Sequence, residues 1–194
     1  MNLAQLRDAA GRNITRPVVG LLAKTPLTPS ALTWFGFAVS VGAAVLVAYD
    51  SLLAAGLLVL AAGLFDMLDG ALARHTGRVS RFGAVLDSTL DRLSEAAILV
   101  AAIFLFATEA MVGAAVLAGA TLTGAMTVSY LRARTEALGL AGRSGLFTRP
   151  ERVIVLALGL LIDQLIIALV IVAVFSFITA GQRLVGAWLQ LKKG

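Results

Sequence analysis

The sequence contains no cysteine, a single histidine and few charged residues. The absence of cysteine excludes disulfides, thiolate metal sites and cysteine nucleophiles. Charged residues make up 14% of the 194 residues, against roughly 25% in a typical soluble domain, whereas 59% are hydrophobic. This composition excludes an ordinary soluble globular protein and indicates a membrane protein.

Long uncharged runs predict where the chain crosses the membrane, since a spanning helix needs about 20 apolar residues. These runs cover residues 31–49, 51–65, 98–107, 110–130 and 165–181. Shorter or charge-bearing runs can also span if their polar groups face an interior site. We therefore predict an all-α integral membrane protein with six transmembrane helices. Their predicted bounds are 28–50, 52–74, 82–107, 110–136, 150–162 and 165–190.

The N-terminal segment has the pattern of an amphipathic helix that lies in the headgroup layer, with a frayed polar tail as the alternative. Apolar residues recur at helical spacing beside three arginines; they are Leu3, Leu6, Ala10, Ile14 and Val18, beside Arg7, Arg12 and Arg16. The segment lacks the compact apolar region of a removable signal peptide. We predict one membrane domain over 1–194, made of an interfacial helix (1–24) and a six-helix bundle (28–190).

The distribution of basic residues predicts the orientation. With six spans and the N-terminus inside, all 16 Lys and Arg residues fall on or just within the cytoplasmic side, and the outer loops carry Asp50, Glu109 and Asp163. Both termini are thus predicted to be cytoplasmic, in a multi-pass protein of the cytoplasmic membrane. The net charge of +5 suits anionic membrane lipids and phosphate-bearing substrates. Because the basic residues border the spans, no nucleic-acid partner is expected.

Four aspartates border or interrupt the apolar runs: Asp66, Asp69, Asp87 and Asp91. A charge at membrane depth costs about 2.5 to 3.5 kcal/mol on insertion scales, so these acids call for compensating charge and a function. Spacings of three and four residues place each pair on one helix face. The connection 74–81 is short enough to make the two helices antiparallel neighbours, so the four carboxylates can converge.

Carboxylates without histidine or cysteine are the ligands that Mg²⁺ and Mn²⁺ prefer, and paired ions recur in phosphoryl transfer. Small residues beside the acids leave room for a ligand, and nearby arginines can hold phosphate; they are Gly70, Ala73, Gly83 and Ala84, with Arg74, Arg78 and Arg81. Spacing alone leaves two alternatives open, structural salt bridges and the ion path of a transporter. A transporter predicts polar residues through the bilayer depth, whereas these acids cluster at one end of their spans.

Residues 66–91 have the pattern D-x2-D-G-x2-A-R-x8-G-x3-D-x3-D. This pattern and the six-span topology resemble the CDP-alcohol phosphotransferases, over essentially the whole chain. That family moves a phosphatidyl-type group from a CDP-linked lipid to an alcohol and releases CMP. The resemblance implies a transferase that uses CDP-diacylglycerol or an ether-lipid equivalent together with Mg²⁺ or Mn²⁺, as two ions, and that forms a homodimer.

The resemblance also implies roles for individual residues. Asp66, Asp69 and Asp87 would ligate the metal, and Asp91 would both ligate metal and act as general base toward the acceptor hydroxyl. Further residues would bind the CDP portion of the donor: Gly70, Ala73, Arg74, Ser80 and Gly83, with the turn Thr28, Pro29, Ser30 and Ala31.

A second basic region bears on the acceptor. Residues 129–136, 149–152 and 182–183 resemble the subgroup that makes phosphatidylinositol phosphate, or its archaeal ether-lipid counterpart, from inositol 1-phosphate. The residues that would hold its phosphate are Ser129, Arg132, Arg134, Arg149, Arg152 and Arg183. Clustered arginines favour a phosphorylated acceptor, although anchoring of the cytoplasmic face is the alternative role. Glycerol 3-phosphate, used by phosphatidylglycerophosphate synthases, is the alternative acceptor.

Overall fold

The computed structural model describes residues 18–140 and 145–192. Within these ranges the secondary structure is helical, with no strand. The helices are α1 (Pro29–Ala48), α2 (Leu52–His75), α3 (Arg81–Thr108), α4 (Val112–Ala137), α5 (Arg149–Leu161) and α6 (Leu165–Leu191). Residues 18–22 form a further helical turn. The rest of the predicted amphipathic helix, residues 1–17, lies outside the described residues.

The six helices begin and end within two residues of their predicted bounds. Local capping explains several starts. The Thr28 side chain accepts a hydrogen bond from the Ala31 amide at 3.2 Å, and the Ser80 side chain accepts one from the Gly83 amide at 2.9 Å. At the start of α5, Thr148 forms a reciprocal capping box with Glu151.

Four of these helices, α1, α2, α4 and α6, are long and apolar enough to cross a membrane. Helix α3 carries three acidic residues between its start and its middle, Asp87, Asp91 and Glu95. Helix α5 has 13 residues, which gives a length of about 20 Å, short of the hydrocarbon core of a bilayer. The described part of the chain is therefore that of an all-helical membrane protein, and spans by α3 and α5 stay a prediction.

Small residues allow the helices to pack closely, as in other membrane bundles. A Cβ added to Gly56 of α2 would lie 2.9 Å from Leu161 of α5. One added to Gly159 of α5 would lie 2.3 Å from the Ala168 Cβ of α6. Helix α2 also packs on α1, and α1 on α3, so the polar ends of α2 and α3 are held together.

The ends of α1 to α5 share one backbone turn, in which a residue in the left-handed region follows the helix. At two ends this residue is glycine, Gly77 (φ 66°) and Gly139 (φ 73°). At the other three it is Asp50, Ala110 or Asp163, with φ of 56–57°. Asp tolerates this conformation better than Ala, since its side chain can form local hydrogen bonds. The turn that contains Ala110 is therefore the most strained of the five.

Replacing Ala110 by glycine is expected to raise the free energy of unfolding by about 0.5–1 kcal/mol, because glycine removes the left-handed penalty. Gly139→Ala is the matched reverse change, since nothing lies within 4 Å of the added Cβ. It is expected to lower stability by about 1 kcal/mol. Thermal unfolding in detergent measures both, and a loss of stability in Ala110→Gly would contradict the strain argument.

Candidate active site

Three carboxylates gather where the second half of α2 faces the first half of α3. The candidate ligand oxygens of Asp66, Asp69 and Asp87 all lie within 4.8 Å of one another. Asp91 lies one turn farther along α3 and is joined to this group through Arg149. The structure thus brings together the four aspartates that the sequence singled out, three of them in a tight group.

Arg149, the first residue of α5, lies between the two aspartate pairs. Its Nη1 atom is 3.1 Å from Asp66 Oδ2 and 2.8 Å from Asp91 Oδ2. All three side chains are partly exposed. Arg149 Nε is buried and has no hydrogen-bond partner among the described residues. The guanidinium therefore keeps donor capacity beyond its two carboxylate contacts.

The carboxylate group fits a hard divalent cation. Asp69 is 4% exposed, and its buried Oδ2 atom has no hydrogen-bond partner in the described part of the chain. A buried, unpaired carboxylate oxygen beside two further acids is costly unless a positive charge lies close to it. Carboxylate oxygens at this separation are the donor set that Mg²⁺ and Mn²⁺ prefer. The residues that would hold the cation are Asp66, Asp69 and Asp87.

A cavity of about 1090 Å³ opens beside this group. Asp66, Asp69, Asp91, Arg74 and Arg149 line its polar part. The remainder is mainly apolar and is lined by residues of α1, α2, α3 and α5, among them Phe37, Val59, Leu60, Ile98 and Leu156. A cavity that combines charged groups with apolar walls suits a ligand with an anionic head and a lipid tail.

The residues predicted to bind the CDP portion lie around the ends of α1, α2 and α3. Arg74 lines the cavity, and its Nη1 atom lies 3.3 Å from where a Gly70 Cβ would be, so the guanidinium folds back over that glycine. Ser80 and Gly83 are joined by the α3 cap, where an added Cβ on Gly83 would meet Ser80 Oγ at 2.9 Å. The turn 28–31 begins α1. Direct donor contact by these residues and by Ala73 stays a prediction.

The residues predicted for the acceptor are divided by the structure. Ser129 and Arg132 share one face of α4, and Arg134 lies about 160° from Arg132 around the helix. Arg132 Nε pairs with Glu136 at 2.9 Å. Arg183, on α6, is buried and donates a hydrogen bond to the Val128 carbonyl at 2.8 Å. Arg134 therefore lies on another face of α4 from Ser129 and Arg132, and its role stays a prediction.

Arg152 has a partner that the sequence analysis did not identify. Its Nε and Nη2 atoms lie 2.6 and 2.7 Å from the two carboxylate oxygens of Glu95. Both side chains are at most 1% exposed. Glu95 follows Asp91 by four residues on α3, so the spacing of Asp87, Asp91 and Glu95 was a signal that a third acid shares this helix face. A role for Arg152 in acceptor binding stays a prediction.

Comparison with known proteins identifies the family. The CDP-alcohol phosphatidyltransferase pattern matches residues 26–181. The chain is 38% identical to a phosphatidylinositol phosphate synthase of Mycobacterium marinum, over 94% of this chain and 83% of that protein. It is also 38% identical to an archaetidylinositol phosphate synthase of Pyrococcus horikoshii, over 89% of this chain and 90% of that protein.

A solved structure has the same fold. The phosphatidylinositol phosphate synthase of Mycobacterium tuberculosis with CDP-DAG bound superposes with a TM-score of 0.84 at 36% identity, covering 91% of this chain and 94% of that one. The same enzyme in complex with manganese and citrate gives a TM-score of 0.81 at 36% identity, covering 90% and 88%. The family resemblance of the aspartate pattern is confirmed, and the chain belongs to the CDP-alcohol phosphatidyltransferase family.

Proposed function

We propose that the protein transfers the phosphatidyl group of CDP-diacylglycerol, or of an ether-lipid equivalent, to inositol 1-phosphate, giving phosphatidylinositol phosphate and CMP. The observation that carries this proposal is the group of Asp66, Asp69 and Asp87 at the polar part of a large, mainly apolar cavity. Relatives at 38% identity over most of the chain carry the names of inositol phosphate lipid synthases.

The donor suits the cavity. Its acyl chains would occupy the apolar part, and its pyrophosphate would lie near Arg74 and the carboxylates. The related M. tuberculosis enzyme has CDP-DAG bound. Arg74 can hold phosphate oxygens by a bidentate contact. Gly70 and Gly83 would leave space for the CDP group, since an added Cβ would approach the Arg74 and Ser80 side chains.

The aspartates would hold Mg²⁺ or Mn²⁺, as two ions. A bound cation of this kind neutralises the pyrophosphate and stabilises the departing CMP. Asp66, Asp69 and Asp87 would provide ligand oxygens from the end of α2 and the start of α3. Asp91 would contribute an oxygen from the next turn of α3. Both helices pack on α1, which holds these oxygens at a fixed separation while substrates exchange.

Asp91 is proposed to act as the general base. Its carboxylate would accept the proton of the acceptor hydroxyl as that oxygen bonds to the phosphorus of the phosphatidyl group. The bond between this phosphorus and the CMP oxygen breaks, and CMP leaves with the electron pair. Arg149, at 2.8 Å from Asp91, would orient the carboxylate, and the exposed part of its guanidinium would contact the acceptor phosphate.

The acceptor phosphate is proposed to lie near Ser129, Arg132, Arg149 and Arg183, with Arg152 behind them. Arg183 is buried and lies near the charges of Arg132, Arg152 and Glu136. Glu136 and Glu95 compensate Arg132 and Arg152, so these three arginines and two glutamates keep one net positive charge, which favours an anion. This supports a phosphorylated acceptor over a neutral alcohol such as free inositol.

The test is CMP release by the purified protein with CDP-diacylglycerol, Mg²⁺ and a panel of acceptors. Inositol 1-phosphate is expected to support CMP release and to give phosphatidylinositol phosphate, identified by mass spectrometry. Free inositol and serine are the unphosphorylated controls. Activity with glycerol 3-phosphate and none with inositol 1-phosphate would assign the protein to the phosphatidylglycerophosphate synthases. CMP release with no acceptor in the panel would overturn the proposal.

Arg132→Gln is expected to raise the KM for inositol 1-phosphate by about tenfold while the KM for the donor stays unchanged, because one charge-assisted contact is lost. Arg134→Gln removes the same charge from the other face of α4 and is expected to have a smaller effect. Steady-state kinetics with each substrate varied in turn measures both. The reverse order of the two effects would place the acceptor on the Arg134 face.

We also propose that the chain is a single domain crossing the cytoplasmic membrane six times, with both termini and the carboxylate group on the cytoplasmic side. The positive-inside distribution of Lys and Arg supports this orientation. An active site at this boundary leaves the acyl chains in lipid and brings the nucleotide to water. The homodimer expected from the family resemblance stays a prediction.

A further inference from the structure

Helices α3 and α5 are joined by two ion pairs that follow one another along both helices. The first pair joins Asp91 to Arg149, and the second joins Glu95 to Arg152. Because Asp91 and Glu95 are four residues apart and Arg149 and Arg152 are three apart, each helix presents its two groups on one face. The side chains of the pair nearer the aspartate group are partly exposed in the cavity. Those of the deeper pair are at most 1% exposed, although Glu95 also borders the cavity wall.

The two pairs differ in how completely their groups are satisfied. Glu95 and Arg152 form a bidentate pair in which both carboxylate oxygens and two guanidinium nitrogens are used, at 2.6 and 2.7 Å. Arg149 shares one nitrogen between Asp66 and Asp91, and its buried Nε has no hydrogen-bond partner within residues 18–140 and 145–192. The bidentate geometry of the deeper pair fixes the relative position of its two side chains, whereas the outer pair retains hydrogen-bonding capacity for a further ligand.

Stability alone does not explain the buried pair. Its neighbours along both helices are apolar and buried, among them Ile98, Leu99 and Leu156. Replacing a buried ion pair by apolar residues of similar volume is often neutral or stabilising. Apolar contacts are non-directional and allow small axial shifts of one helix along another, whereas a bidentate pair holds one register.

We propose that Glu95 is a positioning residue, which through Arg152 holds α5 in the register that places Arg149 between Asp66 and Asp91. The capping box of Thr148 and Glu151 fixes the first turn of α5, so the position of Arg152 determines that of Arg149. Both carboxylate oxygens of Glu95 are paired with Arg152, so Glu95 would act through Arg152 and Arg149. This inference rests on the proposed function for one readout, the KM for the acceptor; the measurements of stability and of distance do not depend on it.

The test compares three variants. Glu95→Gln leaves the buried Arg152 charge poorly compensated and is expected to lower the Tm by about 10 °C. The double variant Glu95→Leu with Arg152→Met replaces the pair by apolar side chains and is expected to restore the Tm. It is nevertheless expected to keep an acceptor KM raised by about 10- to 100-fold, with an unchanged donor KM. Arg152→Lys keeps both charges but loses the bidentate fork, and a several-fold rise in acceptor KM is expected.

A second readout does not depend on the reaction. Because the chain has no native cysteine, spin labels can be attached at Val100→Cys on α3 and Leu158→Cys on α5, two exposed apolar positions. The distance distribution between the labels is expected to broaden or shift in the double variant and in Arg152→Lys. Glu109→Gln, which removes a carboxylate at the far end of α3, is the control and is expected to leave it unchanged.

The outcomes separate the two proposals. If the wild-type protein does not use inositol 1-phosphate but the distances broaden, the proposed function fails and the positioning role stands. A double variant that recovers the Tm, the acceptor KM and the wild-type distances would show that the pair is merely structural and overturn the inference. If the double variant does not fold, the test depends on Arg152→Lys. Wild-type kinetics and wild-type label distances in that variant would also overturn the inference.

Discussion

Replacing Asp91 by asparagine is expected to lower the rate of CMP release by about 10²- to 10⁴-fold, the contribution typical of a positioned general base. Asparagine keeps the size and polarity of the side chain but cannot accept the proton of the acceptor hydroxyl. The variant loses the ion pair of Asp91 with Arg149 at 2.8 Å. Arg149 keeps its contact with Asp66, and Asp69 and Asp87 are unchanged. Folding and donor binding are therefore expected to survive.

Three measurements separate loss of chemistry from loss of structure. They are the steady-state rate of CMP release at saturating substrates, the affinity for CDP-diacylglycerol and the thermal unfolding curve. Asp163→Asn is the matched control, because it removes a carboxylate from the turn between α5 and α6 at a left-handed position that asparagine tolerates. A variant of Asp91 that keeps about a tenth or more of the activity would contradict the role of general base.

The helix bounds were predictable because each helix ends in a short polar turn and is largely apolar between its ends. The hydrophobic effect places these apolar segments in the membrane, and the cost of unpaired backbone groups in lipid makes the same segments helical. Two helices depart from the pattern of a long, apolar membrane span. Helix α3 carries Asp87, Asp91 and Glu95, and α5 is short. Both departures occur in the helices whose polar residues build the site, where stability and function place different demands on a sequence.

Within the site, helical spacing predicted which residues share a face but not which groups they contact. The pairs Asp66–Asp69 and Asp87–Asp91 were correctly placed on facing helices. The contact of Arg149 with Asp66 joins residues 83 positions apart, and that of Arg152 with Glu95 joins residues 57 apart. Such long-range pairs depend on how α5 is placed against α2 and α3, which no local pattern in the sequence encodes.

The division of Arg132 and Arg134, in contrast, was present in the sequence. Residues two positions apart on a helix point in nearly opposite directions, so both cannot contact one phosphate from the same α4 face. The prediction assigned both arginines to one phosphate site because they are close in sequence, without considering the helix face on which each one lies. Glu95 was missed for a similar reason, because the motif ended at Asp91 although the four-residue spacing continued.

The second large effect is expected from Asp69→Asn, which should weaken Mn²⁺ binding by about 10- to 100-fold and lower CMP release by about 10²- to 10³-fold. Asp69 is the most buried of the grouped acids, and its Oδ2 atom is unpartnered among the described residues. Asparagine offers one neutral oxygen in place of a charged carboxylate. Electron paramagnetic resonance of free Mn²⁺ measures the affinity, with Asp50→Asn, in the turn between α1 and α2, as the control.

The same variant is expected to be more stable than the wild type in the presence of a chelator. Three carboxylates whose oxygens lie within 4.8 Å repel one another, and a neutral amide at Asp69 relieves both the repulsion and the cost of a buried charge. Added Mn²⁺ should raise the Tm of the wild type, since a ligand stabilises the state that binds it, and should raise that of the variant much less. A variant that is both less stable in chelator and equally stabilised by Mn²⁺ would show that Asp69 is a structural acid. Asp69→Asn is thus expected to raise stability in chelator and to lower activity. Both effects arise because the clustered charges that destabilise the fold are the charges that hold the cation.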